Sequence, residues 1–276
     1  MSTTPINGYC TLADMLAFLP NSASANTASI EQSIEAASRA IEGKAGRYFY
    51  PVIKTNTYDV PYGILRRDLT LNDDLLEVIT LTNGNNTVLA STEYNPYPFN
   101  STPKASIVLK RSSAYSFEPD AITNETENVI SVYGVYGYHN QYSLAWITGS
   151  TLNGAITSTT ATTITMTAIS DYVAGQLVRV DNEIMRVTAT GTLTLTVDRG
   201  WNGSIAATHL TLTPVKIWRV QADIIRATMI QAARLYRRNE VIFGTTGGGD
   251  MGVQAVPIPG LDPDVKTILD PYIYRL

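Results

Sequence analysis

The sequence is poor in the residue types that carry most disulfide and metal chemistry. Its 276 residues include one cysteine, Cys10, and two histidines, His139 and His209. A single cysteine cannot form an internal disulfide bond, and these three residues are too few for a structural zinc site of Cys and His ligands. The sequence therefore predicts no metal centre, and it predicts a fold that is held by packing alone.

Long hydrophobic runs and an excess of basic charge are also missing. No run approaches the roughly 20 apolar residues that cross a bilayer. The first ten residues have neither the basic start nor the apolar stretch of a signal peptide, so we expect a protein of cytosolic origin with no membrane partner. Its 20 basic and 24 acidic residues give a net charge of −4, which disfavours tight sequence-independent binding of nucleic acid.

An amphipathic helix is predicted near the start of the chain. Its apolar residues recur every three or four positions and form one stripe: Ile30, Ile34, Ala37, Ile41 and Ala45. Asn26 and Thr27 can accept hydrogen bonds from its first amides, and Gly46 and Pro51 favour its end. Because burial of this stripe needs a partner surface, we expect a distant segment to pack against it.

A second long helix is predicted to begin at Val215 and to supply that surface. Its apolar seam contains Ile217, Val220, Ile224, Thr228, Ala232 and Leu235, and Trp218 widens it. The opposite face carries Arg219, Asp223, Arg226, Arg234 and Arg237, with Arg219 and Asp223 spaced for an ion pair. We interpret this face as solvated, and a contact with a neighbouring subunit or with DNA is the alternative.

Between these helices the pattern is that of short strands. The predicted segments are Thr55–Val60, Asp68–Leu71, Leu75–Thr82, Thr87–Ala90, Ser106–Lys110 and Val129–Tyr136. Asn83 and Gly84 predict a tight hairpin, because both tolerate a positive φ. Tyr133, Tyr136 and Tyr138 are expected on the half-buried face of a sheet, and an exposed aromatic surface is the alternative.

From about residue 145 to about residue 214 the composition shifts to Thr, Ser, Gly, Val and Ile with little charge. The β-type segments recur at the intervals of a small sandwich or barrel. We therefore divide the chain into a discontinuous core, 1–145 and 215–276, and an inserted all-β domain, 146–214. The predicted fold class is α+β: a helical-bundle core with short strands and hairpins that carries this β-domain.

The sequence offers no convincing catalytic constellation. Glu183 and Asp198 could form a carboxylate pair for glycoside hydrolysis, and His209 with Asp171 and a serine could form a triad, but both are arbitrary choices. The glycine-rich segment 243–252 lacks the lysine of a phosphate loop and follows a helix. We therefore predict that the protein is not an enzyme and has neither catalytic residues nor a cofactor.

The order and spacing of several segments resemble the head–tail connector (adaptor) proteins of tailed bacteriophages. The resemblance covers most of 9–138 and 215–276. The segments that carry it are Thr11–Leu19, Ala36–Glu42, Gly46–Pro51, Tyr58-Asp59, Leu69–Val78, Val132–Tyr138, the late helix to Arg238, and Pro263–Tyr272. In the β-domain, Val180–Val187, Val197–Gly203 and Ala206–His209 resemble a small β-module of other phage virion proteins.

This resemblance implies a structural virion protein of the phage neck that is assembled in the host cytoplasm. Copies would form a closed ring, commonly of twelve subunits, between the portal protein and a stopper or tail-completion protein. Genomic DNA would pass through the ring without sequence-specific contacts, which suits an acidic chain.

The resemblance also implies contact surfaces. The C-terminal residues are expected to bind the portal: Tyr272, Ile273, Tyr274, Arg275 and Leu276. Docking of this segment on the subunit's own core is the alternative. The predicted subunit or channel contacts are Arg219, Arg226, Arg234, Arg237, Tyr136 and Tyr138.

A second interpretation places the function in the β-domain. The chain would then be a carbohydrate-binding or decorating protein of the virion or tail. Trp146, Tyr172 and Trp201 would be its stacking residues. Packing inside the domain is the simpler explanation for Trp201 and His209.

Overall fold

The computed structural model describes residues 4–20, 26–63, 66–240 and 260–274. These residues form two antiparallel sheets of six strands each and four α-helices. The predicted fold class is therefore wrong, because the structure is mostly β and has no helical-bundle core among the described residues. The strongest helical patterns in the sequence belong to only two helices of 19 residues each.

The element bounds are as follows. The helices are α1 (Leu12–Phe18), α2 (Thr27–Ala45), α3 (Ala222–Glu240) and α4 (Pro263–Leu269). The strands of the first sheet are β1 (Val52–Tyr58), β2 (Asp68–Thr82), β3 (Val88–Leu89), β4 (Tyr94–Tyr97), β5 (Lys104–Leu109) and β6 (Ile130–Tyr136). Those of the second are β7 (Trp146–Thr151), β8 (Thr163–Thr165), β9 (Leu177–Val180), β10 (Glu183–Thr190), β11 (Thr194–Asp198) and β12 (Pro214–Trp218).

Helix α2 confirms the prediction made from its sequence pattern. The side chain of Asn26 accepts a hydrogen bond from the amide of Ser29, and Gly46 ends the helix with φ +68°. All five stripe residues are fully buried, at 0% exposure: Ile30, Ile34, Ala37, Ile41 and Ala45. The helix is thus amphipathic as predicted, and its buried stripe needs a partner.

That partner is α3, as predicted. Ile41 in the second half of α2 shares a core with Ile224 in the first half of α3. Ile34, nearer the start of α2, shares another with Ala232, further along α3. The two helices are therefore antiparallel, and segments almost 200 residues apart in sequence form one helical layer.

The predicted start of the second helix at Val215 is wrong. Residues 214–218 form strand β12, which pairs with both β7 and β9. Val215 is buried, Lys216 is exposed and Trp218 is buried, so burial along β12 is compatible with a strand as well as with a helix. Because Arg219 precedes the helix, the predicted ion pair with Asp223 is absent, and Asp223 accepts a hydrogen bond from the hydroxyl of Tyr272 (3.0 Å).

The first sheet has the strand order β1-β6-β2-β5-β4, and β3 pairs with the end of β2. Two predicted strands, Asp68–Leu71 and Leu75–Thr82, are parts of the single 15-residue strand β2. Its pairing with β5 shifts register between Thr70 and Leu75, so a bulge interrupts the ladder. The predicted hairpin is confirmed, since β3 pairs antiparallel with β2. The positive φ, however, lies at Asn86 (+63°) and not, as predicted, at Asn83 or Gly84.

The second sheet has the order β7-β12-β9-β10-β11-β8. Its two edge strands are joined by a bridge between Leu152 and Met166. Two backbone hydrogen bonds flank the bridge, from the Asn153 amide to the Thr165 carbonyl (2.9 Å) and from Thr167 to Thr151 (3.0 Å). The sheet therefore closes into a small barrel around an apolar core, which removes its free edges.

The barrel packs against one face of the first sheet. Their shared core contains Ile53, Leu76 and Val135 from the first sheet, Leu177, Ile184 and Trp218 from the barrel, and Ala145 between them. The indole of Trp218 donates a hydrogen bond to the carbonyl of Phe49 (3.0 Å), just past the end of α2. The helical layer, the first sheet and the barrel thus meet at one place.

Replacement of Ile41 by alanine tests the helical layer. Because Ile41 is 0% exposed, we expect Ile41→Ala to lower the free energy of unfolding by about 2–5 kcal/mol. Val88→Ala, at a residue that is 63% exposed, is the control and should change it by less than about 0.5 kcal/mol. Urea-induced unfolding measures both, and equal losses would contradict the assigned seam.

Candidate functional site

Glu183, the first residue of β10, is the centre of a buried polar cluster in the barrel. Its side chain is 0% exposed. Arg199 donates to its two oxygens from Nε (2.7 Å) and Nη2 (2.8 Å), and the amides of Gly200 (3.0 Å) and Ala207 (2.9 Å) add two hydrogen bonds. His209 Nε2 lies 2.8 Å from Oε2. Burial raises the pKa of Glu183, but the hydrogen bonds from Arg199 and Ala207 outweigh it and hold this pKa below its usual value.

The imidazole of His209 lies between two carboxylates. Its Nδ1 is 2.8 Å from Oδ2 of Asp181, and its Nε2 is 2.8 Å from Oε2 of Glu183. Each ring nitrogen therefore lies within hydrogen-bond distance of a different carboxylate. The ring is 1% exposed, whereas Asp181 is 62% exposed. The cluster therefore ties the surface turn between β9 and β10 to the barrel interior.

The structure assembles neither catalytic arrangement considered from the sequence. Asp198 binds Arg186 (2.6 Å), while Glu183 binds a different arginine, Arg199. His209 contacts Asp181 and Glu183, whereas Asp171 accepts a hydrogen bond from Ser170 (3.0 Å). A carboxylate that already accepts from five donors has little capacity left for proton transfer. The cluster therefore acts as a structural tie.

The tie fixes the connection between β11 and β12, which presents apolar side chains to solvent. Ile205 is 77% exposed, Leu210 is 78% exposed and Leu212 is 65% exposed. Leu212 has φ +63°, a left-handed conformation that costs a non-glycine residue about 1–3 kcal/mol. Three large apolar side chains are thus exposed on the connection 199–213.

Backbone hydrogen bonds anchor the second half of this connection. His209 exchanges two of them with Ile156, at 2.8 and 2.9 Å. The amide of Leu212 donates to the carbonyl of Leu152 (3.0 Å). Together with the amide of Ala207, which donates to Glu183, these bonds fix the backbone around the exposed side chains. We call Ile205, Leu210 and Leu212 the apolar display.

The predicted arginine contacts do not form one cluster. Arg219 precedes α3, and Arg226 and Arg237 are exposed on the helix. The Arg226 guanidinium lies 4.8 Å from the centre of the Phe18 ring. Arg234 is half-buried and 3.3 Å from the carboxylate of Asp262. Residues 226 and 237 are separated by about 16 Å along the helix, so the arginines form a dispersed basic face.

The two predicted tyrosine contacts differ in accessibility. Tyr136 is fully buried in the first sheet, where its hydroxyl donates to the carbonyl of Val132 (3.0 Å). Its side chain therefore has no surface to offer a neighbour. Tyr138 is half-buried, with ring centres 5.6 Å from Phe49 and 5.6 Å from Tyr272.

The C-terminal segment docks on the subunit's own core. Tyr272 is 8% exposed and shares a core with Phe49 and Ile224. Ile273 and Tyr274 are half-buried, and the amide of Tyr274 donates to the carbonyl of Ala45 (2.7 Å). Arg275 and Leu276 lie outside the described residues. Tyr272 is thus buried on its own subunit in this conformation. A portal contact remains a prediction for Ile273, Tyr274, Arg275 and Leu276.

Arg47 links this segment to the bend of β2. Its guanidinium lies 4.5 Å from the ring centre of Tyr138 and 5.1 Å from that of Tyr274. It is also 3.5 Å from the carboxylate of Asp74. Burial raises the pKa of Asp74 to about 6, although the charge of Arg47 opposes that rise.

Sequence reasoning missed the partners of Glu183 and His209. Arg199 stands in a segment with little charge, immediately after a strand, and the sequence pattern does not indicate its partner. A buried charge needs a counter-charge, so an arginine in such a segment indicates that a nearby acid is its buried partner. Spacing alone could not show which of the nearby acids it binds.

Comparisons with known proteins add no family. No protein-family model matches the chain, and no curated protein sequence matches it either. Across the described ranges, no group of three or more His, Cys, Asp and Glu residues is arranged to hold a metal ion. In the same part of the chain, no helix combines the length and the apolar character needed to cross a membrane.

Substitution of Glu183 tests the structural tie. Glu183→Gln leaves the buried guanidinium of Arg199 without its carboxylate, so we expect a loss of about 3–5 kcal/mol in the free energy of unfolding. The control is Asp198→Asn, which removes a carboxylate that is 41% exposed and should cost about 1 kcal/mol or less. Urea-induced unfolding measures both variants, and similar small losses would show that the cluster contributes little.

Substitution of Asp74 tests the electrostatics of the β2 bend. Because its pKa rises from 3.8 to about 6 on folding, the folded state binds more protons than the unfolded state between these values. Stability should therefore fall as pH rises from about 4 to about 6, by on the order of 2–3 kcal/mol from this group. Asp74→Asn should remove that fall, whereas Asp270→Asn, at an exposed residue, should retain it. Urea unfolding at several pH values decides, and a slope unchanged by Asp74→Asn would refute the assignment.

Proposed function

We propose that this chain is a structural subunit of the neck of a tailed bacteriophage. Copies form a closed ring between the portal protein and a stopper or tail-completion protein, and the genome passes through the ring without being gripped. The ring contains about twelve copies and is assembled in the host cytoplasm. No enzymatic step and no cofactor are part of this role.

The resemblance to connector proteins is one support for this proposal. It involves two separate parts of the chain, 9–138 and 215–276. Packing of Ile41 with Ile224 brings those parts into one layer, so segments that resemble the connectors also belong together in space. The net charge of −4 suits a channel that must release DNA.

The observation that carries the proposal is the apolar display. Large apolar side chains that a protein exposes on one ordered connection are candidates for an interaction site. Here Ile205, Leu210 and Leu212 stand on a backbone that the Glu183 cluster already orders. A pre-ordered loop loses less conformational entropy on association. We assign the display to the contact between adjacent copies in the ring, a heterologous contact that repeats around it.

The remaining surfaces receive narrower roles in the proposal. Ile273, Tyr274, Arg275 and Leu276 contact the portal, while Tyr272 anchors the segment to its own core. Arg226 and Arg237 face the channel or a neighbouring copy. Their wide spacing suits weak, transient contacts with a moving duplex.

Electron microscopy of the full-length protein, alone and with portal rings, tests the proposal. We expect closed rings, or rings that form on the portal. The triple variant Ile205→Ser, Leu210→Ser, Leu212→Ser should shift native mass spectra toward the monomer, because it removes most of the apolar contact. A protein that stays monomeric with and without portal would overturn the ring.

A matched triple variant separates the display from a general effect of exposed apolar residues. Tyr62→Ser, Val88→Ser and Ile122→Ser change residues that are 101%, 63% and 90% exposed elsewhere in the molecule. We expect this control to assemble like the parent. If the variant with Ile205, Leu210 and Leu212 changed still forms rings, the apolar display is not part of the subunit interface, although the ring proposal stands.

A further inference from the structure

A cleft of about 390 Å³ opens where the first sheet meets the barrel. The first sheet contributes Glu77 of β2, and the barrel contributes Arg179, Asp181 and Lys216. The segment 142–146, which connects the two sheets, completes the wall. The volume lies within the range of small-molecule sites, and such sites often form where two structural units meet.

The floor of the cleft is rigidly built. Oε2 of Glu77 accepts hydrogen bonds from the Tyr142 hydroxyl (2.6 Å) and from Nη1 of Arg179 (2.9 Å). Arg179 also donates to the Asp181 carbonyl (2.7 Å) and to Oδ1 of Asn182 (2.9 Å). All three nitrogens of the arginine therefore donate hydrogen bonds within the chain, which order this part of the lining before any ligand arrives.

Several polar groups of the lining retain hydrogen-bonding capacity. Within the described chain, Oε1 of Glu77, Oδ1 of Asp181 and the ammonium of Lys216 make no hydrogen bond, whereas the other oxygen of each carboxylate does. The Glu77 side chain is 38% exposed, that of Asp181 is 62% exposed, and Lys216 is exposed. The cleft thus offers two acceptors and one donor to a ligand.

The charge of the lining is balanced, and part of the wall is aromatic. Glu77 and Asp181 offset Arg179 and Lys216, so the four groups carry no net charge. Trp146 lines the cleft and packs edge-on against Trp218, with ring centres 5.0 Å apart. The Arg179 guanidinium lies over its ring, 5.8 Å from the centre, and the half-buried indole keeps part of its surface exposed. Balanced charge favours a neutral ligand that both donates and accepts hydrogen bonds, and an indole offers it an apolar surface.

We propose that this cleft binds a neutral saccharide. An apolar face of a sugar ring lies against Trp146, sugar hydroxyls donate to Glu77 and Asp181, and a sugar oxygen accepts from Lys216. Of the three stacking candidates in the sequence, Trp146 alone lines this cleft. Tyr172 is buried with its hydroxyl on the Val215 carbonyl (2.9 Å). The proposal does not rest on the ring, since a single copy contains the whole site.

Calorimetric titration of the full-length protein tests the site. The probes are cello-, malto-, manno- and chito-oligosaccharides at concentrations up to the millimolar range. We expect saturable binding of at least one of them. Trp146→Ala should weaken it about tenfold by removing the stacking surface, and Lys216→Ala should weaken it about fivefold by removing one charged donor.

Two further measurements make the outcome decisive. Lys266→Ala, at an exposed lysine of α4, is the matched control and should bind like the parent. Lys216→Ala changes an exposed side chain, so it tests the site even if Trp146→Ala does not fold, which circular dichroism would show. No saturable binding of any probe, or equal binding by parent and Lys216→Ala, would overturn the proposal. Neither result bears on ring formation, which electron microscopy tests separately.

Discussion

The burial of Trp218 is the interaction on which the arrangement of this molecule depends. Its backbone belongs to the last strand of the barrel, its indole donates to the carbonyl of Phe49 after α2, and α3 begins a few residues later. Its ring also packs against His139 and Trp146, at 5.5 and 5.0 Å between ring centres. One side chain therefore couples the barrel, the helical layer and the segment that connects the two sheets. Any relative movement of these parts would expose that apolar surface.

The helices were the most predictable part of the fold. The periodic apolar residues predicted α2, and Asn26 and Gly46 predicted its two ends. The need to bury Ile34 and Ile41 indicated that α3 packs against it. The helical pattern did not show that most of the chain forms strands, so a helical-bundle core was wrongly predicted. The bent strand β2 was divided in two because Asn72, Asp73 and Asp74 interrupt its apolar alternation, although sheet pairing resumes at Leu75. Strand β4 contains Pro96 and is not among the predicted strands. It lies at the edge of the sheet, where a proline is tolerated.

The polar interactions were less predictable because they depend on long-range contacts. At 215–218 a helical and a strand pattern overlap, and pairing of β12 with two neighbours decides between them. The acid that binds Arg199 lies 16 residues earlier in the chain, and Arg179 meets Glu77 across 102 residues. No spacing rule links such pairs. Residue type indicates that a buried charge needs a partner, and only the tertiary fold selects it.

The buried carboxylate of Glu183 orders the connection between β11 and β12. A buried ion pair often adds little net stability, since desolvation offsets much of the attraction. Glu183, however, accepts from the amides of Gly200 and Ala207 as well as from side chains, so its carboxylate specifies a backbone path that apolar packing could not. That path places Ile205 and Leu210 in solvent. In the proposed ring these side chains contact a neighbouring copy, and folding has already ordered the backbone that carries them.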